Sequence, residues 1–419
     1  MMNAYPEYKP SGVEWLGKVP NHWSTPKISY LMEYIGSGTT PKTTNTEYYN
    51  GDIPWVTTGE LREGVILDTK KKVTKLAIQD NSALKMHPVN SIVMAMYGAT
   101  IGRLAKLGIK ATTNQACCVL LPSKKIETDF LYYWLMCHRK EIIELSYGGG
   151  QPNISQDTVA NLKVTLPPSD EQTEIVKFLN IELSRIDTLI SEKENFIKLL
   201  QEKRQALISH VVTKGLDDNV KMKPSGVDWI GDIPTLWETS SLRWRIKIRS
   251  GDSLANDQFE KVSDDLNAIP VVGGNGLMAY TKQPNSYGSR IIIGRVGSHC
   301  GNVHKVNYPS WITDNALIVD TWNGFDQDFL IHLLRTLKIN DLANKTALPL
   351  ITGNQVKSII VPIPPQEEQQ EIVQFLHDKL SVIDQLIIET ESSIKLLQEH
   401  RTALISAAVT GKIDVREVA

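Results

Sequence analysis

The 419-residue chain is long enough for two or three ordinary domains, each burying its own core. A hydrophobic share of 41%, 22% charged residues and a formal net charge of −2 fit a water-soluble globular protein and give no general attraction to nucleic acid or to an anionic membrane. No apolar run reaches bilayer-spanning length, the opening MMNAYPEYKP has neither part of a secretion signal, and Cys117, Cys118, Cys137 and Cys300 lack CxxC spacing, so a cytoplasmic protein with reduced, mostly buried thiols is expected.

The charge is unevenly spread: residues 1–150 carry 17 Lys+Arg against 13 Asp+Glu, and residues 348–419 carry 6 against 10. Along the chain, the first recognisable segment is KPSGVEWLGKVPNHW, Lys9 to Trp23, whose Trp15 and Trp23 are expected to pin it onto a domain. Ile35 to Leu61 follows, dense in Thr, Gly, Tyr and Trp, and then the β-branched runs SIVMAMYGATIG and TTNQACCVLLP. Short strands with glycine turns, and one short helix from Asp129 to Leu145, predict a compact α/β domain built on a twisted, mainly antiparallel sheet. Gly148-Gly149-Gly150 reads as a turn.

At Leu166 the pattern changes to LPPSDEQTEIVKFL, a helix start. Pro167 and Pro168 bar what precedes, Ser169 and Gln172 form a capping-box pattern, and Gly215 supplies the stop. Apolar residues then alternate at 4–3 spacing through Leu179, Leu183, Ile186, Ile190, Ile197, Leu200, Leu207 and Val211, with Lys193 and Arg204 in the two missing places. Such a helix is about 65 Å long at 1.5 Å per residue.

The whole order then returns. KPSGVDWIGDIPTLW runs from Lys223 to Trp237, bringing Trp229 and Trp237. GSRIIIGRVGSHCGNVHKV and WITDNALIVDTW occupy the places of the earlier β-branched runs. IPPQEEQQEIVQFL opens a second helix at Ile363, with its stripe at Leu376, Leu380, Ile383, Ile387, Thr390, Ile394, Leu397, Arg401, Leu404 and Ala408. The separation far exceeds a solenoid period and indicates a duplicated domain. Each helix either packs on its own domain or joins the other in an antiparallel coiled coil, and the narrow stripe favours the pair. Centring the pair near Asn195 and Ser392 sets Arg204 beside Asp384 and Arg401 beside Asp187. The tail from Gly411 occupies the place of the linker Lys214 to Met222, so the termini are expected to be neighbours.

The sequence has no GxxxxGK[ST], HExxH or GxSxG motif, and Val272-Gly273-Gly274-Asn275-Gly276 does not follow GxGxxG. Its turns instead carry hydrogen-bonding and charged side chains able to address bases and phosphates. In the first half these are Thr39, Thr40, Lys42, Thr57, Thr58, Tyr97, Arg103, Asn114 and Gln115, and in the second Asn275, Arg290, Arg295, Ser298, His299 and Asn315. Similar frames with different polar turns suit the reading of two different short sequences. His299 and His304 flank a glycine turn. A coiled-coil scaffold displaying two protein-binding domains is the alternative, whereas a lone nuclease or methyltransferase lacks its motifs.

The layout resembles the specificity subunit of type I restriction–modification systems. The residues that carry it are SGVEWLG-x-VP-x-HW with its copy, GTTPKTTNTEYYNGDIPWV, MYGATIGRL with TTNQACCVLLP, PVVGGNG with WITDNALIV, and the IPP-x-EEQ-x-EIV-x-FL helix openings. They extend over essentially the whole chain. The resemblance implies an α+β protein in which two pseudo-symmetric target-recognition domains (1–165 and 216–362) are separated by conserved helices (166–215 and 363–419) in an antiparallel coiled coil. It also implies a non-catalytic chain that directs two adenine methyltransferase subunits and two motor-nuclease restriction subunits to a bipartite, asymmetric double-stranded DNA target. S-adenosylmethionine, ATP and Mg2+ would be bound by those partners, with no cofactor, metal or membrane contact in this chain.

Overall fold

The computed structural model describes residues 3–145, 153–297, 299–343 and 349–416. The chain divides into two compact units, Met1–Glu192 with Ser392–Ala419, and Lys193–Glu391. Both divisions fall inside the long helices Ser169–Lys214 and Gln366–Val409, so each unit holds the start of one helix and the end of the other.

In the first unit a five-stranded sheet runs in the order Met32–Ser37, Cys117–Pro122, Ile92–Ala95, Leu104–Leu107, Val65–Ile66, antiparallel except for its last pair. A second sheet has Tyr49–Val56 between Lys72–Val73 and, in parallel, Thr112–Thr113. The second unit repeats this plan. Ile246–Ser250, Ala316–Trp322, Arg290–Gly294 and Val303–Val306 form an antiparallel sheet, and Ile269–Gly273 lies between Gly276–Thr281 and a parallel Trp311–Ile312. The mainly antiparallel α+β plan is thus as the turn-punctuated β-branched runs indicate.

The sheet-covering helix expected over Asp129 to Leu145 is two helices, Thr128–Cys137 and Arg139–Glu144, because His138 leaves the helical range (φ −97°, ψ 21°). Phe130, Leu131, Trp134 and Leu135 are buried under the first, as Phe329, Leu330, Leu333 and Leu334 are under its counterpart Gln327–Thr336. The duplication reaches single ion pairs: Lys106 to Asp129 at 2.5 Å and Lys305 to Asp328 at 2.6 Å. The Gly148–Gly150 turn lies outside the described residues.

The fifteen-residue segment recurs because it clamps helix ends. In each copy two short strands pair, Tyr8–Pro10 with Lys18–Pro20 and Met222–Pro224 with Asp232–Pro234, and a fully buried tryptophan follows. The Trp23 indole N–H donates to Glu171 (3.0 Å), in the first turn of the first long helix, and the Trp237 indole donates to Glu368 (2.8 Å), in the first turn of the second. The same tryptophans receive the ends of the other helices. Gly215 and Gly411 take positive φ (84° and 72°). A Cβ on Gly215 would lie 3.4 Å from the Trp237 ring, and one on Gly411 would lie 3.2 Å from Trp23 and 2.5 Å from Pro20. Each tryptophan therefore sits between one helix's start and the other's finish.

Ser169 begins the helix, but Gln172 does not close a capping box with it. Its amide instead accepts from Glu127 N–H (2.7 Å) and donates to Pro167 C=O (2.9 Å), and Gln369 does the same with Asp326 N–H (2.7 Å) and Pro364 C=O (2.9 Å). The glutamine is drawn away to the start of the sheet-covering helix, whose first N–H groups have no partner within that helix.

Within each unit the helix segments run antiparallel. In the first, Glu171 lies near the Gly411 end while Asp187 pairs with Arg401 (2.9 Å), and in the second Gly215 lies beside Glu368 while Arg204 pairs with Asp384 (3.1 Å). Both reciprocal pairs stand as the spacing indicates. They are not buried, however, since the aspartates are about half exposed (52% and 51%), and each contributes at most about 1 kcal/mol. Seam residues such as Leu179, Leu183, Ile186, Leu376, Leu380 and Ile383 are buried, each worth roughly 1.5–3 kcal/mol. Apolar burial holds the seam and the ion pairs select its register.

Tyr5 O–H also donates to Glu171, and His22 meets its other oxygen at 2.8 Å. Burial and the Glu171 bond push the Tyr5 hydroxyl well above its usual range, so it stays a donor. Glu171→Ala strands the Trp23 and Tyr5 donors and is expected to cost about 2–5 kcal/mol, whereas Glu368→Ala strands one indole and costs about 1–3 kcal/mol. Chemical denaturation of both variants checks the order. Asp414 N–H donates to Asn3 C=O (2.8 Å) and Tyr8 O–H to Gly411 C=O (2.9 Å), so the chain ends meet as the repeat requires. A circular permutant joined across these ends and opened within 216–221 should retain its circular-dichroism spectrum and cooperative melting. A molten product would contradict the equivalence of tail and linker.

Candidate nucleic-acid interface

Strand register gathers most of the singled-out turns at one edge of each unit. In the first, Ser37 is opposite Cys118, Cys117 opposite Ala95, and Val56 beside Thr113, so these strands end together. Main-chain bonds join the turns that follow: Thr39 N–H to Thr113 C=O (3.1 Å), Asn114 N–H to Val56 C=O (3.0 Å) and Met96 N–H to Ala116 C=O (2.8 Å). A Cβ on Gly38 would sit 1.8 Å from the Thr113 oxygen, so only glycine allows this approach. Thr39, Thr40, Thr57, Thr58, Tyr97, Arg103, Asn114 and Gln115 come together here, with exposed Lys42 just beyond.

Their roles differ. The Glu60 carboxylate fixes Thr57 N–H (2.8 Å), and Asn114 Oδ1 accepts from Ala116 N–H (3.2 Å), so both side chains also shape the edge. Thr40 donates to Gln115 (2.5 Å). The side chains of Arg103 and Lys42 have no hydrogen-bond or ion-pair partner among the described residues and are free for a ligand.

The second unit rebuilds the edge with other residues. Gly251 repeats Gly38, since its Cβ would lie 2.3 Å from Thr313 C=O, and Asp252 N–H donates to Ile312 C=O (3.0 Å) as Thr39 does to Thr113. The indole of Trp55 bonds Thr39 C=O (3.3 Å) and that of Trp311 bonds Asp252 C=O (3.2 Å), reaching equivalent carbonyls from neighbouring strands. Arg295 N–H donates to Asn315 C=O (2.9 Å), and its guanidinium reaches Ser250 Oγ and Asp314 C=O (both 3.3 Å). Asn275, His299 and Asn315 are exposed around it. His304 bonds Gly274 C=O (3.2 Å), and burial lowers its pKa, so it holds the turn as a neutral ring.

Arg290 is not part of this edge. It stands at the opposite end of strand Arg290–Gly294, 3.8 Å from Asp320, which also receives Arg249 at 2.9 Å. Ser298 lies outside the described residues. Asp252 was not singled out from the sequence, although Ser37-Gly38-Thr39-Thr40 and Ser250-Gly251-Asp252-Ser253 keep the same spacing from the required glycine. Burial pushes the thiols of Cys117 and Cys118 up to about 12. Among the described residues no group of three or more His, Cys, Asp or Glu is placed to hold a metal ion, and no helix is long and apolar enough to cross a membrane.

The two units thus share one α+β frame and carry different polar edges. The sequence profile of the type I restriction modification DNA specificity domain matches residues 20–199 and 234–396, and the chain belongs to that family. It is 26% identical over 369 residues to the type I restriction enzyme EcoprrI specificity subunit of Escherichia coli, covering 85% of this chain and 87% of that protein. It is 24% identical over 425 residues to the MjaVIII specificity subunit of Methanocaldococcus jannaschii, covering 96% and 95%. Among solved structures, a chain from work on complex assembly and conformational transition of the type I R-M system superposes with a TM-score of 0.75 at 17% identity, over 94% of this chain and 99% of that one. The HsdS subunit from Thermoanaerobacter tengcongensis gives 0.55 at 17% identity, over 94% and 98%.

The different surroundings of the three basic residues predict different outcomes on a specific duplex. Arg103→Ala should weaken binding roughly 5- to 100-fold with little change in melting temperature, the range of one lost base contact. Lys42→Ala should lower the slope of log affinity against log salt by about 1. Arg290→Ala should leave affinity unchanged, and titrations over a salt series would check all three.

Proposed function

We propose that the chain reads a two-part DNA sequence, one part with the edge of each unit, and passes that address to catalytic subunits of a type I restriction–modification complex. One observation carries the reading: the same frame is built twice around Gly38 and Gly251, and the side chains on the two resulting edges differ. Equal frames give equal docking for two copies of a partner, and unequal edges give unequal half-sites. The partners are two adenine methyltransferase subunits and, for restriction, two motor-nuclease subunits, on which S-adenosylmethionine, ATP and Mg2+ are bound. The chain itself contributes recognition and no bond-making step.

Mapping of methylated adenines in cells expressing the chain with its methyltransferase partner should yield one site with two different halves and a fixed gap. The purified chain alone should neither methylate nor cut the same DNA. A palindromic site, or methyl transfer by the isolated chain, would refute the proposal.

A further inference from the structure

The two units close the same strand pair in different ways, beside the same edge. In the first, Tyr49–Val56 and Lys72–Val73 are joined by the connection 57–71, which pairs with the larger sheet through Val65–Ile66 and carries the exposed cations Arg62, Lys70 and Lys71. In the second, Ile269–Gly273 turns directly through Gly274-Asn275 into Gly276–Thr281, with Gly273 opposite Gly276. The turn is fixed from below, since a Cβ on Gly274 would lie 3.1 Å from both Asn315 C=O and the Gly294 Cα.

The two residues after Gly276 are apolar and open to solvent: Leu277 is 55% exposed and Met278 50%. Hairpin tips ordinarily take polar residues, which lose nothing by staying in water. Met278 lies over Gly273, its sulfur 3.1 Å from where a Cβ would be, in space that a larger residue would fill. Asn275, exposed on the same hairpin, brings an amide suited to a base edge next to the apolar pair. The apolar feature of a DNA major groove is the thymine C5-methyl, which a leucine or methionine can cover.

We propose that Leu277 and Met278 read thymine methyl groups in the half-site bound by the second unit. This rests on the DNA-reading function proposed above. The test uses duplexes bearing the mapped site, with thymines replaced by uracil in one half at a time, bound to the complex of the chain with its methyltransferase partner. Uracil removes only the methyl group, so wild type should lose about four- to fifteenfold in affinity in one half-site, the contribution of one or two covered methyls. In the Leu277→Ala, Met278→Ala variant, uracil and thymine duplexes should bind alike in that half, with the uracil response of the other half unchanged. Leu277→Met alone should keep part of the discrimination. An equal uracil penalty in wild type and variant, or no penalty in either half, overturns the inference while leaving DNA reading intact. Failure of wild type to prefer the unsubstituted site over random duplex would remove the DNA-reading function and this inference with it.

Discussion

Everything in this architecture depends on a buried indole donating to a glutamate in the first turn of a long helix. A 46-residue helix cannot fix its own angle to a globular domain, because a narrow apolar stripe lets it roll and slide. The Trp23–Glu171 and Trp237–Glu368 bonds remove that freedom at one defined turn. The glutamate is also stabilised there by the helix N-terminus, where anionic groups are favoured. Gly411 and Gly215 then bring the other helix end against the same ring. Antiparallel pairing within each unit follows from these contacts, and the ion pairs Arg401–Asp187 and Arg204–Asp384 refine the register.

The frame and the reading edge place opposite demands on sequence. Where backbone passes close to backbone, as at Gly38 or Gly251, the residue is dictated by space. Two positions further on the residue differs: Thr40 bonds Gln115 across the edge, whereas Ser253 is exposed. Change can accumulate at exposed side chains such as Arg62, Lys71, Leu277 and Met278 without disturbing the sheet below. This separation lets two copies of one fold serve different half-sites.

The sequence made the duplication, the helix stripes, the reciprocal ion pairs and the meeting of the chain ends legible, because each depends on spacing along one chain or between exact repeats. It also carried most of the edge, since turns that follow strand ends in both halves must gather where those strands end. Three features were out of reach. Gln172 looked like a capping residue because local pattern cannot show that Glu127 N–H lies nearby in space. Arg290 looked like its neighbour Arg295, yet one strand length separates them, and Asp320 has already taken the first. The break at His138 interrupts a periodicity that reads as continuous, because a single residue's departure from helical geometry leaves the apolar spacing intact.

The two clamps differ in covalent connectivity. In the second unit the peptide chain itself runs from helix end to lead motif, so Gly215 and Trp237 are held close by a short tether. In the first unit Gly411 and Trp23 are separated by most of the chain, and closing so long a loop costs more entropy. That side is held by Tyr5 and His22 to Glu171, Tyr8 to Gly411 and Asn3 to Asp414, where the second has Lys214 Nζ on the Ile230 and Asp232 carbonyls. The positions that match Tyr5, Tyr8 and His22 in the second copy are Asn219, which bonds Asp217 instead, and Met222 and Leu236, which have no side-chain donor. One clamp closes through a short stretch of chain, the other through hydrogen bonds between segments far apart in sequence.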